Sequence, residues 1–294
     1  MKRFCHFTER FVILSCAIFV CGCSDGGHSA SELTVKFPAP SVSETEIVWF
    51  NLAGRDVSAA AAWLKDTDAD ILALGGTADA ITEIAGVLDG YECVATDGAG
   101  VLSKSEIVES VELGIDGVAA LYVLTGDMHI VACDFAEAYG AAYGDLDADA
   151  SKWASLDAAF ASLLDATYNN PQYLRDSQSW FVCGSTYFLS SMDCNIVNVP
   201  EWYPADITDG CYAADISAWN NNLKDCVPLH YRRFVPTFRN PVTGCEQRID
   251  YIYVSNAVWR DIVEVEVVDD DFTIFDGSVP SHRPIRYKIR SYVD

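Results

Sequence analysis

Positive charge is scarce in this sequence. Of 294 residues, 19 are Lys or Arg against 43 Asp or Glu, a net charge of −24. Such a surface repels phosphate backbones, so general nucleic-acid binding is not expected. Long apolar runs are missing too. No stretch reaches the 18 or so consecutive apolar residues of a membrane-spanning helix. There is no CxxC pair, no Cys/His spacing of a structural zinc site, no glycine-rich phosphate loop and no internal repeat. Total charge is not low, however. Charged residues make up 21% and hydrophobic residues 50%, close to globular averages, which excludes wholesale disorder. The length permits a sizeable core without disulfide or metal staples.

The N-terminus carries an address. Lys2, Arg3 and Arg10 precede the apolar run Phe11 to Val20, which is too short to cross a bilayer but suits a signal peptide. The run ends in Val20-Cys21-Gly22-Cys23, which resembles a bacterial lipobox. The expected layout is a signal over 1–22, a flexible Ser/Gly/Pro-rich tether over 23–42 and one domain over 43–294. Cys23 is then the lipidated mature N-terminus, anchored to a membrane in the cell envelope, facing periplasm or exterior. The alternative is an ordinary cleaved signal with Cys23 incidental. Loss of residues 1–22 leaves a net charge of −26. Seven cysteines remain beyond Cys23. Cys133 and Cys183 lie in apolar strand-like runs and read as core thiols. Cys194, Cys211, Cys226 and Cys245 lie in loop-like sequence and are the better disulfide candidates.

Along the mature chain, strand and helix patterns alternate. Glu46–Leu52 and Asp70–Leu74 read as strands, Ser58–Lys65 and Asp79–Leu88 as helices, followed by five strand-like runs up to Phe135. Asp147–Ala166 reads as the longest helix, with Trp153, Leu156, Phe160, Leu163 and Leu164 on one side. A strand at Trp180–Cys183, a long irregular stretch over 185–248 and three more strands complete the chain. This order suggests a layered α/β sandwich with largely antiparallel strands.

Several short motifs share that order. They are Trp49-Phe50-Asn51-Leu52, Asp68 to Leu74 (DADILAL), Val101-Leu102-Ser103-Lys104, Gln247 to Ser255 (QRIDYIYVS) and Ser281-His282-Arg283-Pro284-Ile285. Together they resemble the endonuclease/exonuclease/phosphatase superfamily from about Glu46 to Tyr292. The resemblance implies a deoxyribonuclease I-like, four-layer α/β sandwich: two mainly antiparallel sheets flanked by helices. It also implies a divalent metal, usually Mg²⁺, that holds a phosphate ester and activates water.

The departures from the family pattern concentrate in its catalytic positions. Gly76 stands where the family has its main metal-binding Glu. Ser185 and Tyr187 replace the Asp and Asn of a GDFN loop, Asp134 replaces a His, and Ser281 replaces the Asp before the terminal His. Asn51, Asp250 and His282 remain in place. Gly76→Glu, Ser185→Asp, Tyr187→Asn and Ser281→Asp are expected to restore most of the aligned ligands. The expectation is a binding or scaffolding module without a metal cofactor. The alternative is a Mg²⁺-dependent phosphohydrolase with a rearranged site. Arg232, Arg239, Arg248 and Arg283 border the family's phosphate cleft and could draw an anionic small molecule or a protein partner. Equally, these arginines could pair with the surplus acids.

Overall fold

The computed structural model describes residues 41–139, 150–171, 178–187, 221–239, 246–269 and 281–293. The expected signal, most of the tether, Cys23, Cys194, Cys211 and Cys245 lie outside these residues. Its elements run β1 (Ser41–Asn51), α1 (Val57–Thr67), β2 (Ile71–Gly76), α2 (Ala78–Val87), β3 (Glu92–Thr96), β4 (Gly98–Ser103), β5 (Ile107–Glu112), β6 (Ala119–Thr125) and β7 (Met128–Asp134). Then come α3 (Ala136–Tyr139), α4 (Ala150–Ala166), β8 (Ser179–Ser185), β9 (Lys224–Asp225), α5 (Val227–Tyr231), β10 (Phe238–Arg239), β11 (Glu246–Gln247), β12 (Asp250–Val254), β13 (Ile262–Val267), β14 (Ser281–His282) and β15 (Ile285–Val293).

Two six-stranded sheets form the body, in the orders β13-β15-β1-β2-β4-β3 and β5-β6-β7-β8-β12-β9. Within them β1/β2 and β7/β8 run parallel and the other pairs antiparallel. Each parallel pair is joined through helix, as parallel neighbours require.

Strand alternation builds three apolar layers. From β1, Ile47 and Trp49 point between the sheets, where they meet Ile130, Ala132, Phe181, Cys183 and Ile252. Val48 and Phe50 point the other way, into a layer with Ala60 and Leu64 of α1 and Ile81 and Ile84 of α2. On the far side of the second sheet, Val131, Val182, Tyr251 and Tyr253 pack beneath Leu156, Phe160, Leu163 and Leu164 of α4. The result is helix, sheet, sheet, helix. Asp56 caps α1 by accepting from the Ala59 N–H at 2.9 Å, and Thr77 caps α2 through the Ala80 N–H.

A third, small sheet in the order β11-β10-β14 stands apart from the two large ones. Two of its strands, β10 and β11, lie in the stretch that reads as irregular, because strands of two residues leave no periodicity to find. One cysteine also departs from expectation. Cys226 is a buried free thiol rather than a disulfide half, and burial pushes it up to about 12. Cys133 and Cys183 are buried free thiols, as their apolar surroundings suggest. Among the described residues, no helix is long and apolar enough to cross a membrane.

Candidate functional site

The C-terminal ends of β1, β7 and β8, the start of β12 and the strand β14 converge at one end of the sandwich. Asp250 is the centre. Its Oδ1 accepts from the Ser185 hydroxyl at 2.5 Å and from Trp49 Nε1 at 3.2 Å. His282 Nδ1 lies 3.0 Å from both carboxylate oxygens and donates to them. Asn51 Nδ2 donates to Ser185 Oγ and to Asp134 Oδ2, each at 2.9 Å, while its Oδ1 accepts from the Ala53 N–H. Asp134 Oδ1 accepts from the Ala136 N–H at 2.9 Å. Asn51, Asp250 and His282 thus meet, as the motif order implies, and Asp134 and Ser185 join them.

Asn51, Ser185, Asp250, Ser281 and His282 are all buried, with Asp250 and His282 at 0% exposure. Burial raises the Asp134 carboxyl above its usual range, and the Ala136 N–H, the His282 charge and the Asn51 amide only partly offset it. Phe238 packs on the His282 ring with centroids 4.8 Å apart, and Tyr187 meets Phe238 edge-on. Tyr187 sits in the left-handed region at φ 59°, a conformation that suits Asn better than Tyr.

Three contributors are given no role at the site by the sequence alone. Trp49 supplies an indole N–H from the strand position two before Asn51, so strand parity alone places both on one face. Thr237 accepts from the Asp250 N–H at 3.1 Å, which steadies the start of β12. Arg55, in the β1–α1 loop, donates Nε and Nη2 to the His282 carbonyl at 2.9 and 2.6 Å. Burial and the neighbouring Arg283 lower its guanidinium to about 10. No sequence pattern marks Arg55.

A divalent cation does not fit these residues as they stand. The oxygens of Asp250 and Asp134 already face N–H and O–H donors from the protein. Gly76 offers no ligand, and its φ of +144° is one that a Glu rarely adopts. At that φ a side chain brings strain, which the expected Gly76→Glu restoration would have to overcome. Its neighbour Gly75 is equally committed, since a Cβ would stand 3.1 Å from Asn51 Cγ and 3.1 Å from Trp49 Cη2. Among the described residues, no three His, Cys, Asp or Glu side chains group to hold a metal.

The arginines divide. Arg248 is corrected from groove to core: it is fully buried against Asp225 at 2.6 Å, its guanidinium over the Tyr251 ring. Arg283 pairs with Asp269 at 2.6 Å, and Arg232 is exposed at the C-cap of α5. Arg239, on β10, is partly exposed.

The fold has parallels among solved structures. A 3′ phosphatase from Neisseria bound to product DNA hairpin matches with a TM-score of 0.61 at 18% identity, over 85% of this chain and 100% of that one. An AP endonuclease from Archaeoglobus fulgidus matches at 0.59 and 15% identity, over 85% and 100%. An endonuclease/exonuclease/phosphatase family protein from Bacteroides thetaiotaomicron matches at 0.55 and 13%, over 86% and 96%. The chain has the deoxyribonuclease I-like fold of the endonuclease/exonuclease/phosphatase proteins. At these identities the likeness speaks for the fold alone. No protein-family model and no curated protein matches the sequence. In this chain Asp250, His282, Ser185, Asn51 and Asp134 are mutual hydrogen-bond partners.

Proposed function

We propose that this domain is a non-hydrolytic binding or scaffolding module built on a phosphoesterase fold, and that lipidated Cys23 holds it at a bacterial membrane. One observation supports the loss of hydrolysis above the others: every oxygen of Asp134 and Asp250 faces a donor from the protein itself. A carboxylate so engaged must share or give up these donors to take a cation, and a hard cation needs several oxygens at fixed distance. The chain of Asp134, Asn51, Ser185, Asp250 and His282 serves packing instead. It ties β7, β1, β8, β12 and β14 together across all three sheets.

The test is turnover. With Mg²⁺ or Mn²⁺, the protein should hydrolyse neither a DNA duplex, nor RNA, nor bis(p-nitrophenyl) phosphate above a protein-free blank. Turnover that vanishes in Asp250→Ala and His282→Ala would establish a metal-dependent phosphodiesterase with a rearranged site in its place.

The anchor is tested separately. Wild-type protein should fractionate with membranes in the native host, and Cys23→Ala should release it. Soluble wild type with an unmodified Cys23 by mass spectrometry would remove the lipid from the account.

A further inference from the structure

One flank of the sandwich is basic in a chain of net charge −24. There α5 and the loop before β13 close the side marked by the edge strands β9 and β13. Arg233 and Arg260 are exposed on this flank and form no ion pair with any described residue. Arg260 lies over the Trp259 ring at 5.4 Å, and Arg233 over the Tyr231 ring at 5.9 Å. Asp261 is the one acid in the stretches 226–233 and 255–263. The next acids along β13 are already taken, Glu264 by Lys288 at 3.1 Å and Glu266 by Arg286 at 2.5 Å.

The same flank is apolar at its centre. A pocket of about 160 Å³ opens there, lined by Cys226, Leu229, His230, Trp259, Ile262 and Val265. Leu229 is 42% exposed and Val263 41%, two of the four large apolar side chains that stand out among the described residues. Val263 is the extra residue of a bulge, because Ile262 and Glu264 lie opposite the consecutive residues Ile289 and Lys288. The Tyr231 hydroxyl accepts from the Val267 N–H at 2.9 Å, which obstructs the addition of another strand to β13. The flank is thus unsuited to β-pairing with a partner chain. An indole beside an apolar pocket, with guanidinium groups stacked over rings, suits the headgroup zone of a bilayer instead. Such side chains place an apolar body towards hydrocarbon and a polar end in water.

The point where the chain enters the domain favours the same occupant. Cys23 precedes Ser41, the first residue of β1, by eighteen positions, which span at most about 65 Å. Glu44 lies opposite Arg290, whose N–H donates to the Asp261 carbonyl at 2.8 Å. The loop with Trp259 and Arg260 is therefore level with the start of β1, at the end away from Asn51. A domain held within that reach of lipid meets it at high effective concentration, so a weak patch suffices to orient it. We propose that the flank of α5 and the loop before β13 lies against the anionic surface of a bilayer, with Leu229, Trp259 and Val263 inwards and Arg233 and Arg260 among the headgroups. The proposal rests on the Cys23 anchor of the preceding section for its nearness to lipid, and is independent of the Asp250 centre.

The test places the protein purified from its host on two kinds of vesicle, phosphatidylcholine alone and phosphatidylcholine rich in phosphatidylglycerol, each with brominated lipid as a quencher of tryptophan fluorescence. Attachment to phosphatidylcholine alone reports the lipid on Cys23. Quenching on the phosphatidylglycerol vesicles reports the flank. That quenching should be the stronger of the two, should vanish in Trp259→Phe, and should fall in 1 M salt, where the Debye length is about 3 Å. Arg233→Ser with Arg260→Ser should lose most of it, since each basic side chain at an anionic surface strengthens contact about fivefold. Leu229→Ser should weaken it, and Val108→Ser, on the opposite edge at β5, should leave it unchanged. An unlipidated chain that still shows the quenching keeps this proposal and removes the anchor. A lipidated chain quenched no more on phosphatidylglycerol than on phosphatidylcholine, or a double arginine variant quenched as wild type is, would overturn the proposal and keep the anchor.

Discussion

Asp250→Ala should destabilise the protein by about 3–5 kcal/mol, the range for removing one partner from a buried charged network. The substitution leaves three buried donors without an acceptor: Trp49 Nε1, the Ser185 hydroxyl and His282 Nδ1. Each unsatisfied donor costs about 1–3 kcal/mol before relaxation. The change also removes one hydrogen bond between the two large sheets, since Trp49 belongs to one and Asp250 to the other. Urea unfolding followed by tryptophan fluorescence measures the loss. Asp250→Asn should fall between the two, because an amide oxygen can still accept from Trp49 or Ser185. In a working hydrolase of this fold, the same residue would be expected to affect turnover first. A loss below about 1 kcal/mol would show that the network is not what holds this end of the sandwich together.

Ser185→Asp should be at least as damaging in the presence of a chelator. It restores the carboxylate that the family resemblance places there, but into a different environment. Ser185 is fully buried, donates to Asp250 at 2.5 Å and accepts from Asn51, which itself holds Asp134. A new carboxylate would lose the donor that Asp250 relies on and set two like charges against each other away from water. The expected loss is again about 3–5 kcal/mol by urea unfolding. Millimolar Mn²⁺ or Mg²⁺ should return part of it, because a cation that binds the folded state between carboxylates stabilises that state by mass action. Wild-type stability in the chelator would mean that the centre has room and polarity for a second acid, contrary to the packing described above.

The fold was legible in the sequence where burial on both faces produced long apolar strands. Ile47 to Phe50 and Tyr251 to Val254 are examples, and each sits within a motif that also carries a polar residue, Asn51 or Asp250. The first two helices were legible from their spacing, and each starts one residue earlier than read, where the Asp56 and Thr77 caps set it. The small sheet was not, because Phe238–Arg239, Glu246–Gln247 and Ser281–His282 are too short for alternation to register. The departures from the family pattern that the resemblance implies at positions 76, 185, 187 and 281 were readable residue by residue. What replaced them was not. That Ser185 would become the donor linking Asn51 to Asp250, or that Gly76 would turn the backbone to positive φ, depends on contacts between residues far apart in the chain. The charge pattern of the C-terminal third was visible but divided into three fates. Arg248 entered the core, Arg286, Lys288 and Arg290 joined the acids of β1 and β13 on an outer face, and Arg239 forms no ion pair among the described residues. The outer-face pairs are surface interactions that contribute little each.

The most direct check on the claim that Asp250 is filled by the protein's own donors is a calorimetric titration of the wild type with Mn²⁺ and Mg²⁺. No site tighter than about 1 mM should appear, the weak end for hard cations held by protein oxygens. A micromolar site that disappears in Asp250→Ala would contradict the account, because it would mean that the carboxylate gives up Trp49, Ser185 and His282 for a metal.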